Sequence, residues 1–133
     1  MVPMPRYTTS GGIPLRQWMQ KAEIDEVIER TRMGGDELIN LLGTSAWHAG
    51  GAAICQMIES IVCDQKRVFP VCACLEGEYG LHDIFLGVPV VLGAGGVEHV
   101  IELELDEEDA VRFYESEKVV RGNVALMKTM IEG

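Results

Sequence analysis

Apolar residues recur at every third or fourth position in three stretches of the chain, and this spacing predicts three amphipathic helices. The first runs from about Lys21 to Leu42, the second from about Ala46 to Cys63, and the third from Asp106 to the end. Asp106 is placed as an N-cap before an acidic first turn, where the helix dipole favours negative charge. The apolar stripes comprise Ile24, Val27, Ile28, Thr31, Gly35, Leu38 and Leu42; Ile54, Met57, Ile58 and Ile61; and Phe113, Val120, Val124, Met127 and Ile131.

Between the second and third helices the period changes to two, which is typical of strands. Two strands are predicted at about Val68–Leu75 and Leu81–Leu92, with Pro70 indicating an edge position or a bulge. A third strand has Ile101, Leu103 and Leu105 facing inward, and Glu102 and Glu104 facing outward. Short connections favour an antiparallel meander. The predicted fold class is α+β, with helices packed on a three-strand antiparallel meander.

Proline and glycine residues divide the N-terminal half. Pro3 and Pro5 exclude a helix from the opening, and Pro14 is expected as the first residue of a short helical turn. Gly34 and Gly35 interrupt the first helix, which leaves two readings open: a kink, or close approach of another backbone.

The start of the second helix is made almost entirely of small residues. After Gly43–Ser45, which is expected to end one helix and cap the next, residues 46–53 are small except for Trp47 and His48. Tight helix packing explains this pattern, and so does close approach of a ligand or a neighbouring subunit. The residues alone favour tight packing.

Composition narrows the class of protein. With 133 residues, 47% of them hydrophobic, the chain is expected to form one folded domain. Its 11 basic and 21 acidic residues give a net charge of −10, which argues against binding nucleic acid or an anionic membrane. No apolar run reaches the roughly 18 residues of a membrane span, and no signal-peptide profile is visible. A soluble, cytoplasmic protein is expected.

The residues offer no complete catalytic set. Cys55, Cys63, Cys72 and Cys74 lie in apolar stretches and are interpreted as reduced core residues, and no metal site is predicted. His82 and His99 are interpreted as polar surface residues, whereas His48 lies in the first turn of the small-residue helix without an orienting carboxylate. The Gly93–Gly96 turn lacks the spacing of a dinucleotide-binding loop.

Five motifs nevertheless follow a known order at matching separations. They are Met1–Leu15 (Met-Val-Pro-Met-Pro-Arg-Tyr-Thr-Thr-Ser-Gly-Gly-Ile-Pro-Leu), Glu29–Gly35 (Glu-Arg-Thr-Arg-Met-Gly-Gly), Lys66–Pro70 (Lys-Arg-Val-Phe-Pro), Leu75–Gly80 (Leu-Glu-Gly-Glu-Tyr-Gly) and Phe85–Val90 (Phe-Leu-Gly-Val-Pro-Val). From Met1 to about Met130 the chain resembles the C-terminal domain of NAD-dependent malate dehydrogenases of the lactate-dehydrogenase-like type.

This resemblance implies a parent enzyme whose N-terminal Rossmann domain holds NAD while this domain completes the substrate pocket. The catalytic histidine, the substrate-clamping arginine and the orienting aspartate would lie upstream of Met1, so this chain contains no assigned catalytic residue. Ser45 and Ala46 match substrate-facing positions, and Met1 and Gly50 match positions near the nicotinamide; the match favours the ligand reading of the small-residue helix start. Relatives more often have an aromatic residue where His48 stands and a proline where Gly50 stands.

The implied reaction converts oxaloacetate and NADH to malate and NAD. The implied partners are the missing N-terminal domain, a small dicarboxylate substrate and further copies of the same chain, through the extended opening and the helix at Lys21–Leu42. The 133-residue chain alone is expected to be inactive, to bind no NAD and to self-associate. The alternatives are a lactate or other 2-hydroxy-acid dehydrogenase, or a non-catalytic oligomerisation module.

Overall fold

A computed structural model describes residues 2–132, which form an N-terminal unit ending at Gly50 and a C-terminal unit beginning at Gly51. No helix within that range is both long and apolar enough to cross a bilayer. The elements, in chain order, are β1 Thr9–Ser10, β2 Ile13–Pro14, a 3₁₀ turn Leu15–Gln17, α1 Lys21–Leu42, α2 Trp47–Val62, β3 Arg67–Glu76, a second 3₁₀ turn Glu78–Gly80, β4 His82–Gly93, β5 Gly96–Val100 and α3 Glu107–Glu132.

A two-residue hairpin opens the N-terminal unit. Gly11 and Gly12 have φ values of 57° and 81°, which allow the tight turn between β1 and β2. The opening is non-helical, as the prolines predict. Pro14 was expected inside a helical turn, but this is wrong: it ends β2 with ψ at 135° and immediately precedes the 3₁₀ turn.

Helix α1 has the bounds that the periodicity predicts. At its start the Gln20 N–H donates to Glu23 Oε2 at 2.7 Å, and at its end Gly43, with φ at 67°, donates its N–H to Ile39 O at 2.8 Å. The helix continues unbroken through Gly34 and Gly35, so the kink reading is wrong. A Cβ at either glycine would meet nothing within 4 Å among the described residues.

The three-strand meander is confirmed in the C-terminal unit. Strands β3, β4 and β5 pair in that order, all antiparallel. Pro70 therefore lies on an edge strand, one of the two positions expected, while the irregularity in this ladder lies between Leu75 and Glu76. Pro70 needs no hydrogen-bonding partner on its outer side, which is why proline is tolerated there.

The third strand lies earlier than predicted. Strand β5 ends at Val100, and residues 101–105 are not paired in the sheet. Ile101 still donates its N–H to Pro89 O at 2.8 Å, but Pro89 has no N–H to return, so the ladder stops there. The predicted alternation is nevertheless correct, since Ile101, Leu103 and Leu105 are half-buried and Glu102 and Glu104 are exposed.

The core of the C-terminal unit lies on one face of this sheet. Its buried apolar residues are Ala73, Leu75, Ile84, Leu86, Val88, Val90, Leu92, Val100 and Phe113, with Met57, Ile61 and Val120 packed against them. Phe113 and Val120 place the first half of α3 on the core. Farther along α3 the predicted stripe is exposed, at Val124, Met127 and Ile131.

The core assignment of the cysteines is wrong. Cys55, Cys63, Cys72 and Cys74 are free thiols, as expected, but all four are exposed. Ala73 and Leu75 lie on the face of β3 that points into the core. Cys72 and Cys74 lie on the opposite face. Both faces of β3 carry apolar residues, so the sequence does not show which face the helices cover.

Helix α3 begins as the sequence predicts. Asp106 Oδ1 accepts the N–H of Asp109 at 2.9 Å, and Asp106 O accepts the N–H of Ala110 at 2.8 Å. These bonds satisfy amide groups that the first turn of a helix leaves without partners.

Candidate active-site wall at the start of helix α2

The predicted substrate-side residues lie in the turn between α1 and α2. Ser45 is exposed and Ala46 is half-buried. Their carbonyl oxygens shape the turn, because Ser45 O accepts the Trp47 N–H at 2.9 Å and Ala46 O accepts the Ala49 N–H at 3.1 Å. The backbone is thus held by local bonds while the Ser45 hydroxyl lies at the surface.

The first turn of α2 carries two stacked rings. The rings of Trp47 and His48 lie 3.8 Å apart between centroids, at an interplanar angle of 27°, and both residues are exposed. Within the described range His48 makes no hydrogen bond or ion pair with a carboxylate. A general base needs a partner that orients the ring and stabilises its charged form, so the geometry gives His48 the features of a surface residue.

The small residues of α2 border open space. A Cβ at Gly50 or Gly51 would meet nothing within 4 Å, counting only residues that the structure describes, and Ala49, Ala52 and Ala53 are exposed. Within its own unit, neither glycine has a close described neighbour that the missing side chain would admit. Met1, the other predicted cofactor-side residue, lies outside the described residues.

A second polar cluster, which the sequence indicated only as a turn, surrounds Tyr79. Its hydroxyl donates to Ile101 O at 2.8 Å and accepts the Leu103 N–H at 2.9 Å, while its ring lies 4.8 Å from that of Phe113. Its own N–H donates to Glu102 Oε2 at 2.6 Å. Tyr79 thereby holds the unpaired segment after β5, a role that only the fold reveals.

The adjacent carboxylate of Glu78 accepts backbone hydrogen bonds. The N–H of Glu76 donates to Glu78 Oε2 at 2.9 Å. This bond, together with one from the N–H of Glu78 itself, holds the pKa of the Glu78 carboxyl below its ordinary value of 4.5. Positive charge on His82 and His99 lowers this pKa further. The turn is thus stabilised by an ionised Glu78.

Described residues of the C-terminal unit line cavities at two places. One, of about 460 Å³, is lined by residues that include Cys74, Glu76, Glu78, Glu98 and His99. The other, of about 560 Å³, lies between β4 and α3 beside Phe85, Val124 and Arg121. Across residues 2–132, no group of three or more His, Cys, Asp or Glu side chains is placed to hold a metal ion.

Known proteins similar to this chain are dehydrogenases. A family model described as the lactate/malate dehydrogenase alpha/beta C-terminal domain matches residues 1–130. Malate dehydrogenase of Roseiflexus castenholzii is 54% identical over 132 residues, which are 98% of this chain and 42% of that protein. Malate dehydrogenase of Cytophaga hutchinsonii is 54% identical over 121 residues, 91% of this chain and 39% of that protein.

Solved structures agree with these matches. Malate dehydrogenase from Salinibacter ruber superposes with a TM-score of 0.95 at 49% identity, covering 98% of this chain and 43% of the other. Lactate dehydrogenase from Eimeria maxima, solved with NADH and oxamate, superposes with a TM-score of 0.84 at 30% identity, covering 96% and 42%. The chain therefore spans about two-fifths of the length of these relatives.

Proposed function

We propose that this chain, which belongs to the family of lactate/malate dehydrogenase C-terminal domains, serves an NAD-dependent malate dehydrogenase as the domain that closes the substrate cleft. The observation that carries the proposal is the TM-score of 0.95 to a malate dehydrogenase over 98% of the chain. The reaction we infer for the parent enzyme is reduction of oxaloacetate to malate.

The proposed contribution of this chain is one wall of the cleft. Ser45 and Ala46 face the substrate, and Gly50, one turn farther along α2, faces the nicotinamide; Met1 is assigned to the cofactor side only by its match to relatives. The open space at Gly50 and the exposure of Ser45 support this assignment, because a wall must leave room for a ligand that comes from outside the chain.

NADH, when bound, supplies the hydride for the carbonyl carbon. A histidine protonates the oxygen, an arginine clamps the substrate carboxylate and an aspartate orients the histidine, and we place all three upstream of Met1. His48 has no orienting carboxylate in the described range and does not replace that histidine. We therefore expect no turnover and no retained NAD in the 133-residue chain.

The runner-up substrate is lactate or another 2-hydroxy acid. The lactate dehydrogenase from Eimeria maxima has the same fold, but it is 30% identical to this chain with a TM-score of 0.84. The malate dehydrogenase from Salinibacter ruber is 49% identical with a TM-score of 0.95, and this difference favours malate as the substrate. The residues that select the distal group of the substrate are expected upstream of this chain.

Association with further copies of the chain is a third part of the proposal. Helix α1 exposes a series of apolar residues, and such a series is typical of a surface that another chain covers. They are Val27, Leu38, Ile39, Leu41 and Leu42. Light scattering at increasing concentration should show species larger than one chain, whereas a strictly monomeric chain at high concentration contradicts this part.

The activity is tested with the complete reading frame of the source gene. We expect NADH oxidation with oxaloacetate, much weaker oxidation with pyruvate, and none from the 133-residue chain with either substrate. A preference for pyruvate would indicate a lactate dehydrogenase instead. Turnover by the 133-residue chain would contradict the placement of the proton donor upstream, and inactivity of the full protein would favour a non-catalytic oligomerisation module.

The wall itself is tested by adding bulk to α2. Gly50→Trp in the full protein should raise KM for NADH about 10-fold or more, because the indole ring, much larger than the proline that relatives more often have there, occupies space assigned to the nicotinamide. Gly51→Trp is the matched control, since a Cβ there also meets no described atom within 4 Å but points about 100° farther round the helix. Equal kinetics for the two variants would remove Gly50 from the cofactor side.

A further inference from the structure

Two thiols stand side by side on the exposed face of β3. Cys72 and Cys74 are both free and exposed, and Ala73 between them is 4% exposed and points into the core. Because side chains alternate along a strand, the two thiols share one face.

The surroundings of this pair leave it accessible. Across the ladder Cys72 faces Gly87, where a Cβ would meet nothing within 4 Å of the described atoms. Cys74 faces Phe85, whose side chain is itself 63% exposed. Strand β3 is at the edge of its sheet, so the thiols can be approached from above the sheet and from its side.

Strand geometry allows the two sulfurs to share an ion but not to form a disulfide. Residues two apart on a strand are separated by about 6.7 Å, whereas a disulfide requires Cβ atoms about 3.5–4.5 Å apart. Both common χ1 rotamers are available to a strand cysteine, and opposed rotamers at the two positions bring the sulfurs closer together than their Cβ atoms. Two metal–sulfur bonds of about 2.3 Å in line need a sulfur separation of only about 4.6 Å.

Carboxylates lie near one of the two thiols. The cavity that Cys74 borders is also lined by Glu76, Glu78, Glu98 and His99, and Glu98 is paired with Lys66 at 3.6 Å, so the negative charge available to a cation there comes from Glu76 and Glu78. No third metal ligand is in place among residues 2–132, so a four-ligand zinc site is not formed. Two thiolates without further ligands are the coordination set that a soft d¹⁰ monovalent ion accepts.

We propose that Cys72 and Cys74 form a two-thiolate site for a soft monovalent cation of the Cu(I) class. On binding, each thiol releases its proton to solvent as its sulfur forms a bond to the ion. Two sulfur–metal bonds form, two S–H bonds break, and the oxidation state of the metal does not change.

The chain contains its own control for this site. Cys55 and Cys63 are also free and exposed, but they are eight residues apart at α2, about 12 Å along the helix axis, and cannot share one ion. Titration with Cu(I) against a competing chromophoric chelator, without oxygen, compares Cys55→Ser/Cys63→Ser with Cys72→Ser/Cys74→Ser. The helix double variant, Cys55→Ser/Cys63→Ser, should still bind one Cu(I) per chain tightly. The strand double variant, Cys72→Ser/Cys74→Ser, should bind Cu(I) about 100-fold or more weakly, and so should Cys72→Ser or Cys74→Ser alone.

Several outcomes would overturn the proposal. They are equal affinity of the two double variants, retention of tight binding by Cys72→Ser, or a loss on His99→Ala as large as that on Cys72→Ser, which would move the ion into the cavity. X-ray absorption of the unmutated chain gives a test independent of any variant. Two sulfur neighbours at the copper support the site, and nitrogen or oxygen neighbours contradict it.

Discussion

Ser60 Oγ donates a hydrogen bond of 2.6 Å to the carbonyl oxygen of Leu92, and this bond ties the last turn of α2 to strand β4. Ser60 is fully buried, and its hydroxyl also accepts the N–H of Arg67 at 3.3 Å, where β3 begins. One hydroxyl thus connects a helix to two strands in an environment from which water is excluded.

Replacing Ser60 with alanine should lower the free energy of unfolding by about 2–3 kcal/mol, because buried partners lose their hydrogen bonds. Urea unfolding at neutral pH measures the change. Ser10→Ala makes the same chemical change at an exposed position and should stay within about 0.5 kcal/mol of the unmutated chain. Similar values for the two variants would contradict a structural role for the Ser60 hydroxyl.

Tyr79→Phe should free the segment after β5. The variant keeps the ring against Phe113 but loses the hydroxyl that bonds Ile101 O and the Leu103 N–H. We expect a loss of about 1–3 kcal/mol in unfolding free energy and faster hydrogen exchange at the Leu103 amide. Tyr114→Phe, which removes a more exposed hydroxyl donating to Tyr79 O at 3.0 Å, should cost less and leave that amide protected.

The lowered pKa of Glu78 predicts that the free energy of unfolding depends on pH in the acidic range. Backbone hydrogen bonds lower this pKa in the folded chain, so the stabilisation is complete above the unfolded value of 4.5 and is lost as pH falls through the folded pKa. Glu78→Gln removes the titrating group and should flatten the loss of stability below pH 4.5. Urea unfolding at several pH values from neutral downward measures the free energy of unfolding of each variant. Glu115→Gln, at an exposed site in α3, is the matched control for removal of one carboxylate, and equal slopes for the two variants would contradict the prediction.

Gly35→Ala should stabilise the chain. The glycine lies in an unbroken helix with open space at its Cβ position, and alanine gains about 0.5–1 kcal/mol there. Gly43→Ala should do the opposite, because Gly43 ends α1 with φ at 67°, a conformation that costs alanine about 1–2 kcal/mol. Thermal unfolding compares the two. If Gly35→Ala also weakens association in light scattering, the close-approach reading of Gly34 and Gly35 gains support.

Local signals predicted most of the elements. The bounds of α1 follow from its apolar spacing and from Gly43, and the start of α3 follows from Asp106, because capping and periodicity act over a few residues. The end of β5 escaped prediction, because it depends on the missing N–H of Pro89 and on the hydroxyl of Tyr79, both distant in sequence from Val100.

The candidate site was predictable only through family resemblance. The small residues at the start of α2 left both tight packing and approach of a ligand open, and only the family resemblance favoured the ligand. The structure adds that a Cβ at Gly50 would meet no described atom within 4 Å. The exposure of the four cysteines was not predictable, because an apolar strand does not reveal which of its faces a helix covers.

The sequence by itself determined the kinds of element, their order and the α+β class, since periodicity, proline and glycine positions and capping residues act locally. Only the tertiary structure decided which apolar faces are buried, where the sheet ends, and that Ser60 and Tyr79 bridge segments 20 to 40 residues apart. The physical reason is that burial and buried hydrogen bonds depend on neighbours in space, and those neighbours exist only once the chain has folded.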